Sequence, residues 1–461
     1  MSDEKYTKDA LSSLASTVVD KAPYFGSLPL HIDSFKLFFD DKNGEGRSIH
    51  TATATHDQLN ALAAACSVAP FGRGAEAVVD DTYRRAGKLD LPNFATPFDP
   101  AATSLVAGIK ESVLEGKASN RPIRFELYKL NVYGEGGFFK THKDTPRGSK
   151  MFGSLVLVYP TAHTGGALVF RHQDREWTFD SASAVTRDGA PAFGYAAFYS
   201  DVEHEVLPVT SGYRVTITYN LYFDDVDDDS QSGIASADSL DNSAFRTQLA
   251  TLLDDAKFLP KGGYLGFGLR HSYPIEFAEG LWPKRNGVQH LLDVLRGADA
   301  SVLRAARAAG LSTQIHVAYD TQVEGRSKMH DVTVLTTEVV GGELTYSDFC
   351  YFLEKRFHGV PLYPPGHKKC GVGRAVHWVT PHMGGSRFKS VYLAYGNEPS
   401  LQYEYAELCL LVAVGPHGER TMKGNLEQVK GESNGWSSDE DDFDERVVYE
   451  DSEEDEGDGE E

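Results

Sequence analysis

Between Arg121 and Phe223 apolar residues recur at a period of two in short runs: "IRFELYKLNVY", "GSLVLVYP", "GALVFRH", "REWTFDS", "AAFYSDVEHEV" and "GYRVTITYNLYF". Alternation rich in β-branched and aromatic residues, broken by Gly, Pro, Asp and Ser, predicts short strands that pair antiparallel in a barrel or sandwich. The pattern differs on both sides. Upstream, "HDQLNALAAACSV" and "AATSLVAGIKESVLEG" carry apolar residues at helical spacing, the second ending at Gly116, so residues 1–118 read as a helical flank. Downstream, "DDVDDDSQSGIASADSLDNS" has no apolar period, and residues 225–243 read as an acidic linker. Residues 244–425 mix a helical pattern, "VQHLLDVLRGADASVLRAARAAG", with strand-like runs, "SVYLAYG" and "LCLLVAVG", and hold enough apolar residues for a core of their own. The class is therefore α+β: a strand-rich core over 119–224, a helical flank before it, a second mixed α/β region after it and a tail from 426.

Charge changes the picture at one end only. The net charge of −22 is concentrated after Gly431, where 16 acidic residues meet a single arginine. A stretch such as "DSEEDEGDGEE" buries no apolar surface and is expected to be disordered. With no basic stripe elsewhere, nucleic acid is a poor default partner. The four cysteines show no C-x-x-C spacing, which argues against a disulfide scaffold or a thiolate zinc site. The charged opening "MSDEKYTKDALSS" lacks an apolar leader, and no run approaches the eighteen or so apolar residues of a membrane helix. The expectation is an intracellular protein, cytoplasmic or nuclear, with no membrane partner.

The candidate chemistry sits in "YGEGGFFKTHKDTPRG". On an extended strand residues i and i+2 share a face, so His142 and Asp144 project together. A third ligand, His204, is offered by "SDVEHEVLPVTSGYR". Two imidazoles and one carboxylate leave positions open on the metal, a set associated with non-haem Fe(II) oxygenases. Ten residues past His204 stands Arg214, and the turn residues of "LPVTSG" predict a hairpin between the two strands. Arg214, Thr216 and Thr218 share one strand face. A buried guanidinium needs an anionic partner, which a dicarboxylate cosubstrate supplies. A second H-x-D, His31 and Asp33 in "LPLHIDSF", lacks an arginine ten residues after either following histidine and fails this test. His163, His172, His377 and His382 show no ligand spacing and read as surface or core residues. Trp177 and Phe179 read as core.

Taken together, the H-x-D, the distal histidine, the arginine followed by R-x-T and the "GGALVF" strand entry resemble the Fe(II)- and 2-oxoglutarate-dependent dioxygenases. "LYKLNVYG", "HKDTPRG" and "DVEHEVLPVTSGYR" are similar to the prolyl 4-hydroxylase-like branch, in particular to large fungal-type proteins. The resemblance implies a double-stranded β-helix, or jelly-roll, with the site inside it. It implies His142, Asp144 and His204 as metal ligands and catalytic centre, Fe(II) as the metal, and 2-oxoglutarate and O2 as cosubstrates. Arg214 would pair with the distal carboxylate of 2-oxoglutarate, with Tyr133 and Thr216 beside it, and Tyr159 is a second tyrosine for the same role. The implied reaction is hydroxylation of a C–H bond, with a prolyl residue of a protein or peptide as leading substrate. Asn131 and Tyr133 before the H-x-D also resemble nucleic-acid alkyl-repair dioxygenases, against which the arginine spacing and the acidic chain count. A catalytically silent binding module on the same fold is the other alternative.

Overall fold

In the computed structural model the alternating run at Ile123–Tyr133 is an eleven-residue strand over the same residues. The structure describes residues 3–73, 76–114, 116–145, 147–148, 150–224, 244–273, 285–324, 329–340, 349–362, 376–382 and 407–421. The strands that build the site are, in chain order, β1 (Tyr24–Pro29), β2 (Ser67–Val68), β3 (Arg84–Arg85), β4 (Gly87–Asp90), β5 (Ile123–Tyr133), β6 (Phe138–His142), β7 (Met151–Val158), β8 (Leu168–His172), β9 (Arg175–Phe179), β10 (Ala190–Tyr199), β11 (Glu203–Val206) and β12 (Arg214–Phe223). They form two antiparallel sheets. The larger runs β1-β10-β7-β12-β5-β4-β2 and the smaller β9-β8-β11-β6-β3. Both feed one hydrophobic core, in which Phe170 of the smaller sheet lies 4.9 Å from Phe198 of the larger.

Two local expectations are overturned, and both corrections bear on the site. The run "AAFYSDVEHEV" is two strands rather than one. β10 ends at Tyr199, the chain crosses at Ser200–Val202, and β11 starts in the other sheet. The expected hairpin between the His204 and Arg214 strands does not form: β11 pairs with β6 and β8, whereas β12 pairs with β5 and β7. The intervening Val209–Gly212 instead pairs with His163–Gly165, and that detour carries the chain from one sheet to the other.

The flank read as helical is only partly so. Helices α1 (Asp3–Ala15), α2 (His56–Ala65) and α3 (Leu105–Ser112) are present, and α2 starts at a capping box in which Thr55 and Gln58 satisfy each other's backbone N–H. Yet β1 to β4 lie in the same region, because short runs such as "YFGSLP" have partners waiting on the sheet edges. β1 pairs with β10 along six residues.

Beyond residue 243 a six-stranded sheet takes the order 360–362, 329–336, 312–324, 408–414, 263–268, 376–380. "LCLLVAVG" provides its Leu408–Val414 strand. The long helical pattern is split into a 3-10 turn, Gln289–Asp293, and a helix, Gly297–Ala308, where Gly297 adopts a left-handed φ of +49°. A second core gathers Phe245, Leu253, Leu303 and Leu410 around this sheet, and α1 contributes Ala10 and Leu14 to it. The expected linker at 225–243, the run "SVYLAYG" and the acidic tail lie outside the described residues. No helix among the described residues is long and apolar enough to cross a membrane.

Candidate active site

β6 and β11 are neighbours in the smaller sheet, and their pairing sets His142 directly opposite His204. Asp144 lies two residues beyond the end of β6, where its backbone N–H donates to Ser200 O at 3.0 Å. The three ligand atoms lie within 4.8 Å of one another, and all three residues are buried. His204 Nε2 is 3.8 Å from Asp144 Oδ1.

Each donor is held by a second contact. His142 Nδ1 lies 2.8 Å from Lys140 O, and His204 Nδ1 lies 3.0 Å from Val202 O. Bonding Nδ1–H to a carbonyl fixes the tautomer and leaves Nε2 as a bare lone pair toward the centre. Burial, reinforced by His204 and Arg84, holds His142 well below the usual imidazole pKa, so it is a neutral ligand at neutral pH. The Ser154 hydroxyl donates to Asp144 Oδ2, leaving Oδ1 on the histidine side. Phe139 stacks on His142 at 3.5 Å between centroids, and Phe198 packs on His204 at 4.6 Å. The donor set, its tautomers and its apolar walls suit a divalent ion of the Fe(II) type.

Arg214 opens β12 directly opposite Tyr133, the last residue of β5. It is 1% exposed. Its Nε donates to Ser181 Oγ at 3.1 Å, while Nη2 is buried without a hydrogen-bond partner. The Tyr133 ring centroid lies 5.4 Å from the guanidinium. A Cβ on Gly166, at φ +69°, would stand 2.7 Å from Arg214 Cδ, so the arginine occupies space that only glycine leaves. A buried guanidinium with an unmet donor suits an anionic partner such as a carboxylate.

One cavity, open at its mouth, joins the two halves. His142, Asp144, His204, Arg214, Tyr133 and Thr216 all line it. Tyr159 does not: its hydroxyl donates to Thr96 Oγ1 at 3.0 Å. His31 and Asp33 pair with each other on the surface, 78% and 82% exposed.

Three further residues of the cavity were not legible. Arg84, from β3, donates to Asn131 Oδ1 at 2.8 Å and lies over the Phe139 ring, but nothing in the sequence ties it to a motif nearly sixty residues on. Tyr128 and Lys129 both line the cavity although they are adjacent. The reason is a register shift between Leu127 and Lys129, which lets β5 turn consecutive side chains to one face. Burial pushes Lys129 down to about 7, with Asp90 opposing and Arg84 adding.

Residues 128–222 match the family model of the 2OG-Fe(II) oxygenase superfamily. Among curated proteins no sequence matches the chain. Solved structures similar to it include a prolyl-4-hydroxylase of Pseudomonas putida, 17% identical over 46% of this chain and 98% of that one, with a TM-score of 0.23. A prolyl hydroxylase from Trichoplax adhaerens, in complex with a hypoxia inducible factor oxygen degradation domain peptide fragment, is 16% identical over 48% of this chain and 91% of that one, with a TM-score of 0.24. A 2OG-Fe(II) oxygenase family oxidoreductase from Burkholderia pseudomallei is 15% identical over 36% of this chain and 77% of that one, with a TM-score of 0.24.

Proposed function

We propose, from the premise that residues 128–222 are a 2OG-Fe(II) oxygenase domain, that the chain hydroxylates an unactivated C–H bond of a polypeptide, with a prolyl residue as the leading substrate. One observation carries the reading: the His142–Asp144–His204 donor set and the unmet Nη2 of Arg214 share one cavity. In this reading the two sheets are a double-stranded β-helix. His142, Asp144 and His204 hold Fe(II), and Arg214 takes the distal carboxylate of 2-oxoglutarate, with Tyr133 and Thr216 along its length. Iron and cosubstrate together supply the means to activate O2 for attack on a C–H bond. The protein's part is positional. Ser154 turns one oxygen of Asp144 away from the metal, and the two carbonyl contacts aim the imidazoles. Leu168, Val156 and Val206 line the same cavity and give a saturated carbon an apolar place to lie. Asn131 Oδ1, already bonded to Arg84, is spent on the wall rather than offered to a nucleobase.

The test is release of labelled CO2 from 2-oxoglutarate by purified protein with Fe(II), followed by a screen of proline-containing peptides for stimulation and a mass increase of one oxygen. His204→Ala is expected to abolish release, because the donor set loses one of its two imidazoles. Undiminished release from that variant would sink the metal assignment. Stimulation by non-peptide substrates alone would sink the substrate class.

A further inference from the structure

We propose that Asp20, His172 and His271 form a second site, separate from the first, that takes one divalent transition-metal ion of the zinc type. All three are buried, and one ligand atom from each lies within 4.8 Å of the others. His172 Nε2 is 3.8 Å from Asp20 Oδ2, and His271 Nε2 is 3.7 Å from Asp20 Oδ1, the spacing found between His204 and Asp144. Both Nε2 atoms are buried and without a hydrogen-bond partner. Two unmet imidazole nitrogens facing one carboxylate call for a partner, because a buried polar atom left unsatisfied is costly.

The surroundings resemble a ligand shell. His271 Nδ1 lies 3.0 Å from an Asp201 carboxylate oxygen, a contact that leaves Nε2 as the lone-pair nitrogen, as carboxylates do behind metal-bound histidines. Arg270 Nε donates to Asp20 Oδ2 at 2.6 Å, and Asp20 Oδ1 receives only a long 3.4 Å contact from Ala298 N. Room for an ion is kept by Gly297: a Cβ there would stand 2.5 Å from His271 Nε2 and 3.5 Å from Asp20 Oδ1. The same residues line a small cavity with room for a water beside an ion. A proton is the competing occupant, and it satisfies one nitrogen only. Burial lowers His271's affinity for a proton but Asp201 more than restores it, whereas burial and His271 itself push His172 down to about 4. A divalent ion satisfies both nitrogens at once, and imidazole with carboxylate suits zinc.

The site ties three distant segments together: the chain after α1, the end of β8 and residue 271 of the second region. Its role is to clamp, since it lies behind Phe198, which also packs on His204.

The experiment is an anaerobic Co(II) titration of chelator-stripped protein, followed by visible absorption and metal analysis. The native chain is expected to bind two equivalents; a single equivalent that the His142→Ala/His204→Ala change removes overturns the proposal. The His142→Ala/His204→Ala chain keeps the second cluster whole and is expected to bind one equivalent, with a melting temperature that rises by several degrees on binding. No bound cobalt in that chain overturns the proposal whatever the other variants do. Adding His172→Gln and His271→Gln should remove the remaining equivalent, and an equivalent that survives places the ion elsewhere.

Discussion

Replacing Arg214 with methionine separates a receptor for the cosubstrate from a structural cation, because the two roles predict opposite signs. Burial draws the Arg214 pKa from its ordinary value to about 10, with Tyr133 pulling weakly the other way. That corresponds to a penalty of about 3 kcal/mol on the charged form. The folded pKa lies below the unfolded one, so the penalty is in force throughout the range below about pH 10 and fades only as pH rises beyond it. At pH 7.5 Arg214→Met removes the whole penalty and keeps much of the aliphatic stem. The protein without cosubstrate is expected to melt at the same temperature or higher. Cosubstrate binding should move the other way: removing one partner of a buried, charge-assisted pair costs about 2–5 kcal/mol, or roughly 30- to 5,000-fold in affinity. Calorimetric titration of 2-oxoglutarate at saturating metal, beside thermal melting, measures both. A variant that melts well below the native chain yet binds 2-oxoglutarate normally would refute the receptor role.

Ser154→Ala frees Asp144 Oδ2 and is expected to weaken metal binding by about 10- to 100-fold while leaving the fold intact, as read by Fe(II) titration. Lys129, pushed down to about 7 by burial, loses its proton in the folded chain well before the unfolded one does, so native stability should rise with pH from about 7 towards 10. Lys129→Met should abolish up to about 2–3 kcal/mol of that rise between pH 7 and 9 in urea unfolding, and equal slopes in the two chains would contradict the burial argument. A chain ending at Ser243 is expected to aggregate or to purify without iron, whereas soluble protein with native turnover would show that the second region is dispensable.

The candidate ligand set was legible because a metal site constrains residue type and spacing together. His142 and Asp144 sit two apart at a strand end, and His204 heads into an alternating run whose partner in space is fixed by pairing. Arg214 was legible by its distance from His204, although the reason first read into that distance, a hairpin, is wrong. The spacing reflects a detour through the small Val209–Gly212 pair, and Arg214 reaches the cavity from the opposite sheet. Period-two reasoning fixes which face a side chain takes within a strand, not which sheet the strand joins. It also fails wherever the register slips, as at Leu127/Lys129, which hid Lys129 and Tyr128. Arg84 was hidden for a different reason: its partners are set wholly by tertiary pairing of a two-residue strand. His172 and His271 carry no sequence signal, because a cluster assembled from three remote segments has no local spacing to betray it.

The crossing at Ser200–Val202 couples the second region to the first site. Three consecutive residues there carry three different duties. Ser200 O accepts from the backbone of Asp144, Asp201 accepts from His271 and from the Ser272 N–H at 2.8 Å, and Val202 O accepts from His204 Nδ1. Two of the three first-site ligands are thus aimed by carbonyls on either side of a carboxylate that is held by residues 271 and 272. Asp201 is buried, and despite the cost of burial His271, His172 and Arg296 hold its carboxyl far below the usual range, so it remains charged and tightly held. With those partners gone it becomes a buried unpaired charge, which the chain relieves by moving the segment toward water. Any such movement carries Ser200 and Val202 with it and misaims both ligands. The α1 helix points the same way, since its Leu14 is fully buried in the core of the second region although it stands first in the chain. The candidate site is therefore tied to the second region, and the aim of two of its proposed ligands depends on contacts made by residues more than sixty positions beyond His204.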